Sequence, residues 1–75
     1  MKKEEFLKKI IEAVEIERDI NENTKLEEIE EWDSLAVITV LALFNKFFKI
    51  KINAVIIQNA KTVGDILKLG SGKYE

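Results

Sequence analysis

No proline interrupts the 75 residues of this chain, and only three glycines occur in it. Because these two residues are the strongest breakers of regular backbone hydrogen bonding, their scarcity favours long uninterrupted helices over hairpins and sheets. Apolar residues make up 47% of the chain, a globular fraction, and this length suffices for a single modest core. We therefore expect one all-α domain that spans residues 1–75.

Two segments show the apolar periodicity of helices. The first runs from Lys3 to Ile16, with apolar positions Phe6, Leu7, Ile10, Ile11 and Val14. The second begins at Asp33 or Ser34, either of which would be a good N-cap, and continues for about 15 residues. Its core stripe comprises Val37, Val40, Leu41, Phe44 and Phe48. The periodicity stops between the two segments, which predicts a long loop from Glu17 to Asp33.

Two further helices are predicted after the second one. Asn53 can cap a short helix that ends at about Asn59. The run Thr62-Val63-Gly64-Asp65 is a start signal for a last helix, which Gly70 ends, and we expect residues 70–75 to be flexible. The sequence thus predicts a three- to four-helix bundle with helices 1, 2 and 4 long or nearly parallel and helix 3 short.

The chain contains no cysteine and no histidine, which excludes disulfides, Cys/His zinc sites, cysteine nucleophiles and imidazole acid–base chemistry. Its longest nearly apolar stretch, Leu35–Phe44, covers ten residues, whereas a bilayer span needs roughly 20. The charged N-terminal segment lacks the apolar run of a secretory signal. We expect a cytoplasmic monomer that does not insert into membranes. Lys46, Lys49 and Lys51 are too few for a basic recognition face, and the first 33 residues are rich in acidic side chains, which argues against nucleic-acid binding.

Ser34 lies where a phosphate group would be well received, because the first N–H groups of a helix are unpaired and its dipole is positive there. The run Glu31-Trp32-Asp33-Ser34-Leu35 resembles the phosphopantetheine attachment motif of acyl and peptidyl carrier proteins. The later run Thr62-Val63-Gly64-Asp65-Ile66 resembles the start of their last helix. Spacing and helix order agree through Leu69, so the chain resembles the acyl carrier protein family, in particular its freestanding, specialised-pathway members.

The resemblance implies that Ser34 accepts 4′-phosphopantetheine from coenzyme A through a phosphodiester bond, which a separate transferase makes. The thiol of that arm would hold acyl groups as thioesters, and acyl-loading and acyl-transfer enzymes would be the other partners. Asp33 and Leu35 would belong to the same cofactor site, with Asp33 a plausible ligand for the Mg²⁺ that the transferase uses. The chain itself would be a substrate of enzymes and not an enzyme.

Two departures from the family pattern bear on the pathway. Fatty-acid carriers usually have an acidic second helix, whereas the segment from Ser34 to Ile52 contains no acid. This favours a dedicated carrier over general fatty-acid synthesis, with fatty-acid and polyketide pathways still open. Peptidyl carriers typically have a Gly-Gly pair before the motif, which is missing here, so an aminoacyl or peptidyl cargo is not indicated but stays open.

Partner docking is predicted around Ser34. Residues 1–33 hold 12 acidic and 6 basic residues, and residues 34–75 hold 2 and 6. The acidic segment before Ser34 would meet basic partner surfaces with salt-sensitive association rates. Trp32 either packs against the open end of the bundle or contacts a partner. The residues predicted to dock are Glu27, Glu28, Glu30, Glu31, Trp32, Ala36 and Thr39.

The second helix is apolar over more than one face. Leu35, Val37 and Leu43 cannot all be buried together with the core stripe, so they line a cavity for an acyl chain or form an apolar contact with partners. The alternative function is an unmodified helical protein-interaction module in which Ser34 is only an N-cap.

Overall fold

The computed structural model describes all 75 residues of the chain. It contains four α-helices and no β-strand. Helix α1 spans Lys3–Val14, α2 spans Ser34–Phe48, α3 spans Ala54–Gln58 and α4 spans Val63–Leu67. Single 3₁₀ turns lie at Leu26–Glu28 and Lys68–Gly70. The all-α bundle with a long connection between its first two helices is thus confirmed.

Helix α1 ends two residues before the predicted boundary. Glu15 adopts the left-handed conformation at φ 61°, and the Ile16 N–H donates to the Ile11 carbonyl at 3.0 Å. This hydrogen bond is typical of a Schellman-type helix end, in which the chain turns back over the last turn. Ile16 therefore leaves the helix yet remains buried in the core.

The two long helices pack through aromatic rings. Phe6 of α1 and Phe44 of α2 are fully buried, and their ring centroids lie 4.9 Å apart. Phe48 lies 4.7 Å from Phe6 by the same measure, so three rings form the centre of the core. The core stripe of the second helix predicted from the sequence is buried except for Leu41, which is half-buried at the edge of the core.

Helix α4 is short, so of the two alternatives predicted for helices 1, 2 and 4, long or nearly parallel, the first is wrong for this helix. It has five residues, and the 3₁₀ turn at Lys68–Gly70 continues it. Because 3₁₀ hydrogen bonds join residues three apart, they satisfy terminal carbonyls without a further α-helical turn. Its start is well defined by a capping box in which Thr62 accepts from the Asp65 N–H. The Lys61 and Thr62 N–H groups in turn lower the pKa of the Asp65 carboxyl.

The loop from residue 15 to residue 33 is attached to the start of α4 by backbone pairing. Lys25 and Thr62 form an isolated antiparallel bridge, and the Leu26 N–H donates to the Lys61 carbonyl at 2.9 Å. The Gly64 N–H donates to the Glu22 carbonyl at 2.8 Å. A Cβ at position 64 would lie only 2.9 Å from that carbonyl oxygen, so the close approach requires glycine.

The C-terminal segment lies against the core. The Tyr74 hydroxyl donates to the Leu67 carbonyl at 2.6 Å, and its ring meets Phe48 edge-on with centroids 5.4 Å apart. The Met1 ammonium pairs with the Glu75 carboxylate at 2.9 Å, which joins the two chain ends. The flexibility predicted for residues 70–75 concerns motion and stays a prediction. Gly70 is buried and Tyr74 is half-buried against the core, whereas the other four residues are exposed.

Candidate functional site

Ser34 is the first residue of α2, and its side chain is exposed. The preceding residue, Asp33, is the N-cap: its Oδ1 accepts the Ala36 N–H at 2.9 Å, and its carbonyl accepts the Val37 N–H at 3.2 Å. The N–H groups of Ser34 and Leu35 therefore have no acceptor within the helix. Ser34 thus presents a free hydroxyl to solvent at the positive end of the longest helix.

Glu31 holds the end of the loop directly before this hydroxyl. Its Oε2 accepts the Glu17 N–H at 2.9 Å. This hydrogen bond joins the start of the loop, just after α1, to its end, just before α2. The Arg18 guanidinium donates to the Glu28 carbonyl across the same gap. The Glu17 N–H is the main reason that the pKa of the Glu31 carboxyl lies below its ordinary value. Glu31 was predicted as a docking residue, and the structure adds this role in holding the loop.

The other acidic residues of the loop face solvent. Glu27, Glu28 and Glu30 are exposed and lie beside the attachment region in the chain. None of them has a salt bridge, so their charges are available to a visiting surface. The docking role of these three residues stays a prediction that their exposure permits.

Trp32 is half-buried and packs against the core, as the structural interpretation of its indole predicted. Its backbone N–H donates to the Ile29 carbonyl at 3.1 Å. The side chain borders a small hollow of about 10 Å³ whose lining is entirely apolar and includes Leu26 and Ile66. On its other side it borders a surface groove of about 460 Å³ with Lys25, Gln58 and Lys61. Trp32 therefore separates the apolar interior from a polar groove.

Two predicted docking residues on α2 are less accessible. Ala36 is only 3% exposed, because α2 turns this position toward the bundle. Because it offers a partner almost no surface, its burial argues against the docking role that the sequence predicted for it. Thr39 is half-buried, and its hydroxyl donates to the Leu35 carbonyl at 2.9 Å on the same helix. The sequence could not predict the burial of these two positions, since they lie beside the core stripe of a helix that is apolar on several faces.

A groove of about 290 Å³ lies between the end of α1 and the first turns of α2. It adjoins the N-cap of α2 and is lined by Ala13, Val14, Glu15, Glu31, Asp33, Leu35, Ala36 and Thr39. Apolar and acidic side chains therefore line a groove directly beside the first residue of α2. The sequence carried no signal for this groove, because its walls come from segments about 20 residues apart in the chain.

Of the three residues that could not all be buried, only Val37 lies in the core. Leu43 is half-buried, while Leu35 is 69% exposed directly beside Ser34. Ile38, one turn further on, is 61% exposed. The first turns of α2 therefore present apolar side chains to solvent, which fits the predicted partner contact better than an internal acyl cavity.

The family model described as "Phosphopantetheine attachment site" matches residues 4–69 of the chain. The match covers α1 from its second residue onward, the loop that follows it, and all of α2, α3 and α4, and it includes Ser34. No curated protein and no solved structure matches the chain. None of the four helices combines the length and apolar character that crossing a membrane requires.

Proposed function

The chain belongs to the phosphopantetheine-attachment family of carrier proteins, and from that premise we propose that Ser34 Oγ is the atom esterified by the phosphopantetheine arm. Membership means that the protein carries a covalently attached 4′-phosphopantetheine. It also implies interaction with a phosphopantetheinyl transferase and with acyl-handling enzymes. When bound, the group supplies a terminal thiol that carries acyl groups as thioesters.

The observation that supports this proposal best is that Asp33, and not Ser34, caps α2. Asp33 takes the capping hydrogen bond, so the Ser34 hydroxyl is not needed to satisfy the helix end. The hydroxyl is exposed, and the free N–H groups of Ser34 and Leu35 favour a negatively charged phosphodiester at this position. The residues present therefore fit the group that the family carries.

Asp33 has a second, chemical role in the proposal. One carboxylate oxygen caps the helix, and the other remains free to bind a cation. A hard oxygen ligand beside the acceptor hydroxyl suits the Mg²⁺ of the transferase. After transfer, the same carboxylate repels the phosphodiester, so its contribution belongs to the reaction and not to the stability of the product.

We place the catalysis of acyl loading and transfer in the partner enzymes. Carrier domains of this family are generally non-catalytic. The chain has no histidine or cysteine that could activate the Ser34 hydroxyl or form a thioester of its own. The function of the protein is then to present an acyl group at the end of a tethered arm. Its cytoplasmic location remains a prediction from the sequence.

The cargo pathway that we favour is a dedicated, specialised one. From Ser34 to Gly64 the chain contains no acidic residue, so α2 and α3 lack the negative docking surface usual in fatty-acid carriers. Enzymes that recognise an acidic second helix would find apolar and basic side chains here. Fatty-acid, polyketide and aminoacyl or peptidyl pathways remain the alternatives.

The attachment residue can be tested by co-expression with a broad-specificity phosphopantetheinyl transferase. We expect the intact protein to gain the mass of one phosphopantetheine, and Ser34→Ala to abolish the gain. Ser71→Ala is the matched control, since Ser71 is the only other serine and is exposed near the C-terminus. It should be modified like the parent.

Two results would contradict the proposal. One is modification that persists in folded Ser34→Ala, which would place the arm on another residue. The other is a parent protein that stays unmodified with an active transferase. Partner binding that is unchanged by Ser34→Ala would then favour the protein-interaction module without a prosthetic group.

A further inference from the structure

The solvent side of α2 carries a single continuous stripe. With 3.6 residues per turn, positions 35, 38, 42 and 46 lie within a narrow sector of the helix. The residues there are Leu35, Ile38, Ala42 and Lys46, and all four are exposed. We call them the α2 stripe. It is apolar for its first two turns beside Ser34 and ends in a lysine about 16 Å further along the helix axis.

The charges beside the two ends of the stripe differ in sign. The segment from Ser34 to Gly64 contains four lysines and no acid, and Lys49 and Lys51 follow Lys46 directly after α2. The acidic loop residues lie before the other end of the helix. A surface that complements the stripe must therefore be apolar near Ser34 and negative near the end of α2.

Helix α3 carries further exposed apolar side chains. It packs against α2, and two of its side chains, Val55 and Ile56, are 55% and 50% exposed. Together with Leu35 and Ile38 they are the large apolar side chains that the molecule leaves in water. Four side chains provide far less than the roughly 800 Å² per partner of a stable complex. The surface suits short-lived docking, which a carrier that passes between enzymes requires.

From this arrangement we infer that the α2 stripe docks on a partner enzyme whose surface combines an apolar hollow for Leu35 and Ile38 with carboxylates that meet Lys46. The inference rests on the proposed function, because an enzyme that reaches a group on Ser34 must approach the adjoining Leu35. An acidic second helix would require a partner with a basic surface. The partner of this carrier instead has a negative surface where it meets the end of α2.

The test uses the full-length Ser34→Ala chain labelled with ¹⁵N, so that the result does not depend on the arm. Two synthetic amphipathic helical peptides serve as probes. They share one leucine face, and their flanking residues are glutamates in one and lysines in the other. We expect the glutamate peptide to shift the amide signals of the α2 stripe and to bind this site about threefold or more tightly than the lysine peptide does. Added salt should reduce the difference.

Charge variants locate the effect. Lys46→Glu should remove the preference for the glutamate peptide. Lys68 is likewise exposed but lies after α4, so Lys68→Glu should leave the preference intact. Equal binding of both peptides at the stripe, preference for the lysine peptide there, or no shift of the stripe by either peptide would overturn the inference. Stripe shifts caused by phosphatidylglycerol vesicles but not by the glutamate peptide would also overturn it and identify a membrane surface.

The two proposals fail separately. A chain that gains no phosphopantetheine mass would contradict the proposed function. It would not change the measured preference of the α2 stripe for one peptide over the other. A stripe without charge preference would contradict the docking inference and leave the attachment at Ser34 untouched.

Discussion

Asp33 and Ser34 are neighbours in the motif, and the backbone separates their roles. Asp33 has extended backbone angles, φ −131° and ψ −170°, which bring its carboxylate over the first turn of α2. Ser34 already belongs to the helix, and the capping hydrogen bond is made by Asp33 and not by the Ser34 hydroxyl. The sequence left open which of the two residues caps the helix, because both are good N-cap residues.

Substitutions at Asp33 can separate its capping role from its charge. Asparagine accepts the same hydrogen bond without a charge, so Asp33→Asn should unfold in urea at nearly the parent midpoint but be modified much more slowly by the transferase. Alanine removes both, so Asp33→Ala should lose about 1 kcal/mol of unfolding free energy and also be modified slowly.

The comparison that decides is between transferase rates of the two variants at equal folded fraction. If Asp33→Asn were modified at the parent rate, the carboxylate would have no role in the transfer and its importance would be structural alone. If Asp33→Asn were as unstable as Asp33→Ala, the capping hydrogen bond would not explain the stability of the helix start.

At the scale of elements, the pattern of side chains predicted the helices but not the backbone hydrogen bonds between the loop and the start of α4. Helices α1 and α2 were predictable because their apolar residues recur with the helical period, and α3 because Asn53 accepts the Val55 N–H as its N-cap. The pairing of residues 22–26 with residues 61–64 uses N–H and C=O groups, which every residue has. Only Gly64 signals it, since glycine is required by a close backbone approach.

Gly64 therefore provides the test of this pairing. In Gly64→Ala the new methyl group would meet the Glu22 carbonyl oxygen, which is backbone and cannot rotate away. We expect a loss of about 1–3 kcal/mol of unfolding free energy, measured by urea denaturation. Ser71→Ala, at an exposed position, should lie close to the parent. A Gly64→Ala midpoint equal to that of the parent would mean that the loop does not pair with α4 as described.

At the scale of the whole molecule, the sequence determined the bundle but not how its ends close. The predicted core stripe orients α2 toward the core, but the burial of Ala36 and the exposure of Ile38 beside that stripe depend on packing against α1 and α3, which no local pattern encodes. The C-terminal residues carry polar and small side chains typical of a flexible tail, yet Tyr74 covers the aromatic core. A Cβ at position 70 would lie 2.7 Å from the Tyr74 hydroxyl oxygen, so a larger residue than Gly70 would displace this side chain.

The ionisation of Tyr74 tests this closure directly. Burial, with a smaller contribution from the charge of Glu22, raises the pKa of Tyr74 to about 12 from its ordinary value of 10.0. A raised pKa means that the folded protein favours the neutral phenol, so this stabilisation is complete below pH 10 and is lost as the pH rises toward 12. Because the chain has only one tyrosine, phenolate absorbance reports this residue alone. We expect its titration midpoint near 12 in the native protein and near 10 in urea. Tyr74→Phe should remove this part of the alkaline destabilisation, whereas a native midpoint near 10 would show that the tail is free in solution.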